Sequence, residues 1–188
     1  MMIVAAKSDA TEPVMSHFSP AIRNAVRYAD PFSWTGATAV AKALAGLIET
    51  TAPMRSSIAL IAMSNHGPAQ AIAAVAEASA AGFSSPMRYP AANPGSLAGV
   101  ACITQELHGP TMNLIMPVES ALPVGLNLAG AWLQRRVSPL VVLLACRRVG
   151  PDRNEARCLL LASDTIETFK GEPLSSTHSD WLLCSQPR

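Results

Sequence analysis

The sequence contains few charged and few aromatic residues. Of its 188 residues, 14% are charged and 5% are aromatic, whereas 49% are hydrophobic, and the formal net charge is +1. The largest group of nearby cations is Arg147, Arg148, Arg153 and Arg157. Domains that bind nucleic acid usually carry a strongly basic patch or stripe. The composition therefore predicts a protein with a sizeable apolar core and no nucleic-acid partner.

Long hydrophobic runs are also missing. A membrane-spanning helix needs about 20 consecutive apolar residues, and every apolar run of this sequence is much shorter. Residues 1–9 are too short and too weakly apolar for a signal peptide. We therefore expect a cytoplasmic protein with no membrane partner.

The four cysteines do not form a metal-binding pattern. Cys102, Cys146, Cys158 and Cys184 are widely spaced, without any CxxC pair. Zinc sites normally show closely spaced ligand pairs, so the sequence predicts no metal site, and nothing in it indicates a cofactor. The first three lie in apolar stretches, where a cysteine is typically a small buried hydrophobic residue in a reducing compartment.

Short apolar runs alternate with segments rich in helix-forming residues. This pattern predicts strands at 2–6, 57–63, 111–117, 139–146 and 156–162, and helices at 36–49, 68–81, 97–107 and 119–136. Such alternation is typical of a layered α/β domain with helices on both faces of one sheet. The last two strands, joined by a short turn, should pair antiparallel. We place the domain at residues 1–163 and a polar C-terminal tail at 164–188.

The segment Asn93–Val149 carries a resemblance to a known family. It contains a helix, then Gly109-Pro110, a strand, a tight elbow, a buried helix and a further strand. This series resembles the region around the active site of ketosynthases, which have a thiolase-like fold. The resemblance extends over residues 57–162 and more loosely over 1–56. It implies the N-terminal half of that fold: a mostly parallel five-stranded sheet with the order 3-2-1-4-5.

The sequence departs from the family at the nucleophile. Counted from Gly109-Pro110, the family's cysteine falls near Val118, but the elbow has the sequence Pro117-Val118-Glu119-Ser120. A condensing enzyme needs a thiolate here, activated by the helix N-terminus. The two catalytic histidines of the family lie in its C-terminal half, beyond the segment that this chain resembles. We therefore expect no condensing activity.

Two subfamilies of the ketosynthases fit these departures. One is the chain-length-factor type, which lacks the cysteine and pairs with an active partner. The other is a ketosynthase-like N-terminal domain with an acidic residue near the elbow, a pattern that Glu119 matches to within one position. The resemblance thus implies a non-catalytic subunit of a polyketide or fatty-acid-like pathway that acts by dimerisation and by binding acyl intermediates. Its partner would be a second copy or a full-length ketosynthase, and an acyl carrier protein is a further candidate.

Five residues near the elbow and at strand ends are candidates for a site. We predict ligand contacts for Val118, Glu119, Met116 and His66, since ligands in open α/β sheets bind near the carboxyl ends of strands. Three of them have a structural interpretation too: Glu119 as a helix cap, His66 as part of a turn and Met116 as a core or interface filler. Ser120 is either a helix cap or a nucleophile.

A second hypothesis is an enzyme with altered chemistry, such as cyclisation or hydrolysis of a polyketide thioester. Its candidate catalytic residues are Glu119, Ser120 and His108. His108 precedes Gly109 at a helix end, where an imidazole also interacts favourably with the helix dipole.

The sequence also predicts an assembly. By the family resemblance, strand 111–117 lies at a sheet edge, and it contains no charged residue that would prevent another strand from pairing with it. The helix 119–136 is apolar on nearly every side, which is typical of a buried helix. We therefore expect a partner chain to cover both.

Overall fold

A computed structural model describes residues 1–83, 85–150, 153–165 and 169–183 of the chain. Its strands are β1 (Met2–Ala10), β2 (Ala59–Ser64), β3 (Thr111–Ile115), β4 (Leu140–Arg148), β5 (Asn154–Ser163) and β6 (Glu172–Pro173). Its helices are α1 (Pro20–Ala25), α2 (Pro31–Ala45), α3 (Ile48–Thr51), α4 (Ala69–Ala80), α5 (Tyr89–Ala92), α6 (Ser96–Gln105), α7 (Val118–Gln134) and α8 (Ser176–Leu182). Two short 3-10 segments lie at Met15–His17 and Ala52–Ser57.

The six strands form one sheet with the order β3-β2-β4-β5-β1-β6. β2 pairs in parallel with β3 and with β4. The pairs β4–β5, β5–β1 and β1–β6 are antiparallel. The α/β class, the elements around β3 and the antiparallel β4–β5 pair are confirmed.

Three details of the predicted sheet are wrong: it has six strands, its pairing is mixed, and β1 is not central. Central strands are buried on both faces and therefore consist of continuous apolar runs. β2 and the first seven residues of β4 fit this description, because all of them are buried. β1 instead contains Lys7, Ser8 and Asp9, and its buried and exposed residues are mixed. A half-exposed strand of this kind suits a position near the sheet edge, where β1 lies.

Side chains of the sheet alternate between two apolar clusters. Leu60 and Ala62 of β2 pack with α2 and α6 on one face, whereas Ile61 and Met63 pack with α7 on the other. A period of two is the geometry of a strand covered on both sides. Small residues allow close approach: a Cβ at Gly36 of α2 would lie 2.8 Å from Leu97 Cδ1 of α6.

α2 begins five residues earlier than predicted. The sequence predicted a start at residue 36, but Asp30 caps the helix by accepting a hydrogen bond from Phe32 N–H at 2.8 Å. Pro31 occupies the first helical position, where its missing N–H costs nothing. The Asp-Pro pair was therefore the better start signal. The Thr35 hydroxyl donates to the carbonyl of Pro31 inside the helix.

Part of the predicted tail packs on the sheet. β6 pairs with β1, and Leu182 of α8 is fully buried in the cluster on the α7 face. The Arg157 guanidinium of β5 donates to the carbonyl of Trp181 and lies 5.3 Å from the centre of its ring. None of the described helices is long and apolar enough to cross a membrane.

Candidate functional site

The carboxyl ends of β2, β3 and β4 meet at one edge of the sheet. The three strands are parallel neighbours, and their register aligns Ser64 with Ile115 and Met63 with Ala145. The segments that follow these strands are therefore brought together although they are far apart in sequence. This is the edge at which ligands bind in open α/β sheets.

A cavity of about 190 Å³ lies at this edge. The residues that line it come from the loop after β2, the start of α7 and the end of β4: Asn65, His66, Val118, Glu119, Arg147, Arg148 and Val149. Three of the four predicted ligand-contact residues, His66, Val118 and Glu119, thus lie around one cavity. We call it the elbow cavity.

The strand-to-helix elbow lies where the sequence indicated. β3 ends at Ile115, Pro117 precedes the helix, and Val118 is its first residue with almost no exposed surface. The first N–H groups of a helix have no acceptor within the helix, so they favour negative charge nearby. An apolar Val118 side chain occupies the position at which a nucleophile would benefit from them.

Glu119 is held by an ion pair with Arg147. The Glu119 Oε1 atom lies 2.5 Å from Arg147 Nη2, while the Glu119 side chain is 59% exposed. A carboxylate in the first turn of a helix is also favoured by the helix dipole. Glu119 is therefore not the cap residue itself, which is Pro117, but a carboxylate in the first turn that also lines the cavity.

The loop after β2 is a tight turn. Ser64 Oγ accepts hydrogen bonds from the N–H groups of His66 and Gly67, each at 3.2 Å. Gly67 has φ +57°, a conformation that a residue with a side chain rarely adopts. This turn leaves the His66 side chain exposed at the cavity.

The other candidates lie elsewhere. Met116 is half-buried against the apolar cluster on the α7 face. Ser120 is exposed in the first turn of α7. His108 is exposed before β3, so all five residues of that strand separate it from the elbow, at about 3.3 Å for each residue. The structure does not bring His108 together with Glu119 and Ser120.

Sequence reasoning did not assign four of the lining residues: Asn65, Arg147, Arg148 and Val149. It singled out Arg147 and Arg148 only as part of a basic group. The signal that would have found them is the parallel pairing of β4 with β2, which places the end of β4 beside the elbow. Asn65 lies next to His66 at the end of β2, so the argument applied to His66 covered it as well.

None of the described cysteines is among the residues that line the elbow cavity. Burial raises the pKa of the Cys102 thiol, an effect that its hydrogen bond with Thr111 partly opposes. Burial also raises the pKa of the Cys158 thiol. Both remain protonated at neutral pH, and Cys184 lies outside the described residues. Within the described ranges, no three or more His, Cys, Asp or Glu residues are grouped to hold a metal ion.

No family model and no curated protein matches the sequence. Solved structures do match. The ishigamide ketosynthase/chain length factor has a TM-score of 0.68 and 9% identity, over 90% of this chain and 64% of its own. A ketosynthase in complex with its chain length factor from Xenorhabdus doucetiae has a TM-score of 0.62 and 14% identity, over 86% and 79%. A beta-ketoacyl synthase from Burkholderia phymatum STM815 has a TM-score of 0.70 and 12% identity, over 87% and 59%.

The chain has a ketosynthase-like fold. The predicted resemblance to ketosynthases and chain length factors is thereby confirmed at the level of structure. At these identities the likeness shows the fold alone. The chain spans less than two thirds of the ishigamide and Burkholderia structures, 64% and 59% of their lengths.

Proposed function

We propose that this chain is a non-catalytic ketosynthase-like subunit, of the chain-length-factor type, in a polyketide or fatty-acid-like biosynthetic pathway. It acts by pairing with another ketosynthase-like chain and by contacting the acyl intermediate at the elbow cavity. The observation that carries the proposal is the buried Val118 at the first position of α7, in a ketosynthase-like fold.

The chemistry of the elbow supports a non-catalytic role. Valine offers no nucleophile, and the neighbouring Glu119 carboxylate is ion-paired with Arg147. Acyl transfer to an enzyme requires an activated nucleophile such as a thiolate. The Cys102 thiol is half-buried and the Cys158 thiol is buried, and burial raises the pKa of both, so neither is an activated thiolate.

The exposed apolar residues of β3 and α7 support the presence of a partner chain. Among the described strands β3 pairs with β2 alone and lies at the sheet edge, and its Met112 and Ile115 side chains are 40% and 47% exposed. Val124 on α7 is exposed as well, as expected for a helix that is apolar on nearly every side. An uncharged edge strand with exposed apolar side chains readily pairs with another chain. We propose a full-length ketosynthase or a second copy as that chain, with an acyl carrier protein as the donor of the intermediate.

The size of the elbow cavity fits a shared site. Cavities that enclose a small molecule usually measure about 300–1,000 Å³, whereas the elbow cavity measures about 190 Å³. By itself it accommodates only one end of an acyl intermediate. A partner that covers the β3 edge would supply the remaining walls.

Co-expression with a ketosynthase encoded nearby tests this proposal. We expect the two chains to elute together and the ketosynthase to release products of a different chain length when this subunit is present. Intact-mass spectrometry after incubation with malonyl and acyl thioesters should show no adduct on this chain, with a competent ketosynthase as the control. Rapid stoichiometric acylation of a cysteine would contradict the proposal. An acyl adduct on Ser120, or thioester hydrolysis lost on Ser120→Ala, would instead establish the hydrolase alternative.

A further inference from the structure

A larger groove lies on the other side of the sheet. It measures about 540 Å³ and is formed by the end of α1 with the following loop, residues 86–91, and one face of α6. α6 packs in the apolar cluster with α2, whereas α7 and the elbow pack in the opposite cluster. The groove and the elbow cavity share no lining residue. Its volume is in the range of cavities that bind small molecules.

The walls of the groove are mainly apolar. Val26, Val100, Ile103, Met87 and Tyr28 line it, and the last three are exposed in the chain. Large apolar side chains exposed together around a concavity are typical of a binding site, whereas single exposed ones are common on any surface. The groove therefore suits a ligand with an apolar body.

A glycine within α6 keeps the groove open. Gly99 lies inside the helix and lines the groove, and a Cβ built on it would meet nothing within 4 Å. Glycine inside a helix costs roughly 0.5–1 kcal/mol relative to alanine. No steric contact requires this glycine, so its effect on the structure is to leave space in the groove at some cost in helix stability.

One exposed cation, Arg27, lies at the groove and makes two contacts within the chain. Arg27 Nη1 donates to Asn24 Oδ1 at 3.0 Å, and the guanidinium carbon lies 4.8 Å from the centre of the Tyr28 ring. Arg88 approaches the same ring at 5.8 Å. Among the described residues that line the groove, none is acidic. The local charge is therefore complementary to an anion, and the oriented guanidinium matches a carboxylate.

The geometry points to a second binding site in this groove for a small amphipathic carboxylate, with its apolar body against α6 and its carboxylate at Arg27. The site is separate from the elbow cavity and does not depend on the proposed function. The apolar walls and the Arg27 guanidinium both belong to this one chain, so no partner chain is needed to complete the site. The groove volume then suits a small molecule with one anionic end.

Calorimetric titration with three ten-carbon probes tests this site: decanoate, decanol and decylamine. We expect decanoate to bind more tightly than decanol by about tenfold, as for one charge-assisted hydrogen bond, and decylamine to bind most weakly. Arg27→Gln should bring the decanoate affinity down to that of decanol, and Arg27→Lys should restore part of the difference. Equal affinities for the three probes, or no binding of any of them, would overturn the proposal.

Gly99→Leu tests the position of the site. It should weaken decanoate binding by at least about tenfold, because its side chain fills the groove, without lowering the melting temperature, because leucine favours helix over glycine. Gly99→Ala should retain most of the binding. Gly130→Ala in α7 is the control for Gly99→Ala, because a Cβ there would meet only Met2 side-chain atoms at 3.8 Å and lies outside the groove. It should leave decanoate binding unchanged. Unchanged decanoate binding by a folded Gly99→Leu variant would refute the site. A change in the oligomeric state on Gly99→Leu would refute it too, since it would identify a second copy as the occupant.

Discussion

The two edge strands of the sheet, β6 and β3, differ in length and in composition. At one edge, β6 consists of Glu172 and Pro173, a charged residue and a residue without an N–H group. At the other edge, β3 has five uncharged residues, of which Met112 and Ile115 expose apolar side chains. Short edges that carry proline or charge resist pairing with another chain, and long apolar edges promote it. By this comparison β6 is the edge less suited to pairing, and β3 is the edge at which the proposed partner would pair.

Both edges nevertheless depend on a glycine at the point of approach. A Cβ on Gly109, before β3, would overlap the backbone carbonyl of Ile58, and a Cβ on Gly171, before β6, would overlap the backbone carbonyl of Val4. In each case the obstacle is backbone, which cannot turn away as a flexible side chain can. The edge strands therefore lie where they do because these two residues have no side chain.

Substituting a charged residue on each edge strand should give the largest difference between the two edges in their effect on partner association. Ile115→Asp should weaken association with the partner by roughly 100-fold or more, because burying an unpaired carboxylate costs several kcal/mol. Pro173→Asp at the other edge should leave association unchanged. Analytical ultracentrifugation of each variant with the partner measures both effects. Equal effects of the two substitutions would remove the distinction between the edges.

Leu114→Asp is a needed contrast to Ile115→Asp. Leu114 is 9% exposed and packs in the cluster on the α7 face, whereas its neighbour Ile115 is 47% exposed. Leu114→Asp should therefore unfold the chain, as seen by circular dichroism, while Ile115→Asp should remain folded. Loss of partner binding through unfolding is thus distinguished from loss of an interface.

The two glycines should differ in their effect on stability. Gly109→Ala should lower the free energy of unfolding by about 1–3 kcal/mol, the usual cost of steric overpacking. Gly171→Ala should lower it less, because β6 pairs through two residues and β3 through five. Urea unfolding followed by circular dichroism gives both values. A larger loss for Gly171→Ala would show that β6 and α8 hold the sheet more firmly than β3 does.

Two ion pairs extend the comparison to the parallel and antiparallel parts of the sheet. Glu119–Arg147 lies at the exposed carboxyl ends of the parallel strands, whereas Glu155–Arg157 lies in the antiparallel part with both side chains mostly covered. Glu119→Gln should cost about 0–1 kcal/mol, as for exposed pairs, and less at high salt. Glu155→Gln should cost about 1–3 kcal/mol, because Arg157 also donates to the carbonyl of Trp181. The free energy of unfolding of each variant, measured by chemical denaturation at low and at high salt, distinguishes the exposed pair from the covered one.

The local elements were predictable from sequence because their signals are local. Pro110 and Pro117 bound β3, and an apolar run with few breaks marks β4 and α7. The start of α2 was missed although Asp30 and Pro31 signal it, because helix-forming residues further along drew the boundary to residue 36. Local signals thus located these elements to within a few residues, whereas the short elements α1, α3, α5, α8 and β6 were not predicted.

The position of β1 in the sheet was not predictable in the same way. Pairing partners lie up to 161 positions apart, as for Met2 and Ser163, and no local pattern encodes them. The same limit applies to the elbow cavity. The sequence indicated Val118, Glu119 and His66 separately, but Arg147 and Arg148 join them only through the parallel pairing of β4 with β2. Knowledge of that pairing was the missing information.

The pairing of β1 with β5 has a consequence for synthesis on the ribosome. β1 ends at Ala10, but its partner strand is not complete until Ser163 has been added. At about 5–20 residues per second, β1 waits roughly 8–30 s for that strand. During this interval α2, β2 and the helices after it have been made, and β1 has no sheet to join. Of the six described strands, β1 is translated first, yet it is among the last to be placed in the sheet.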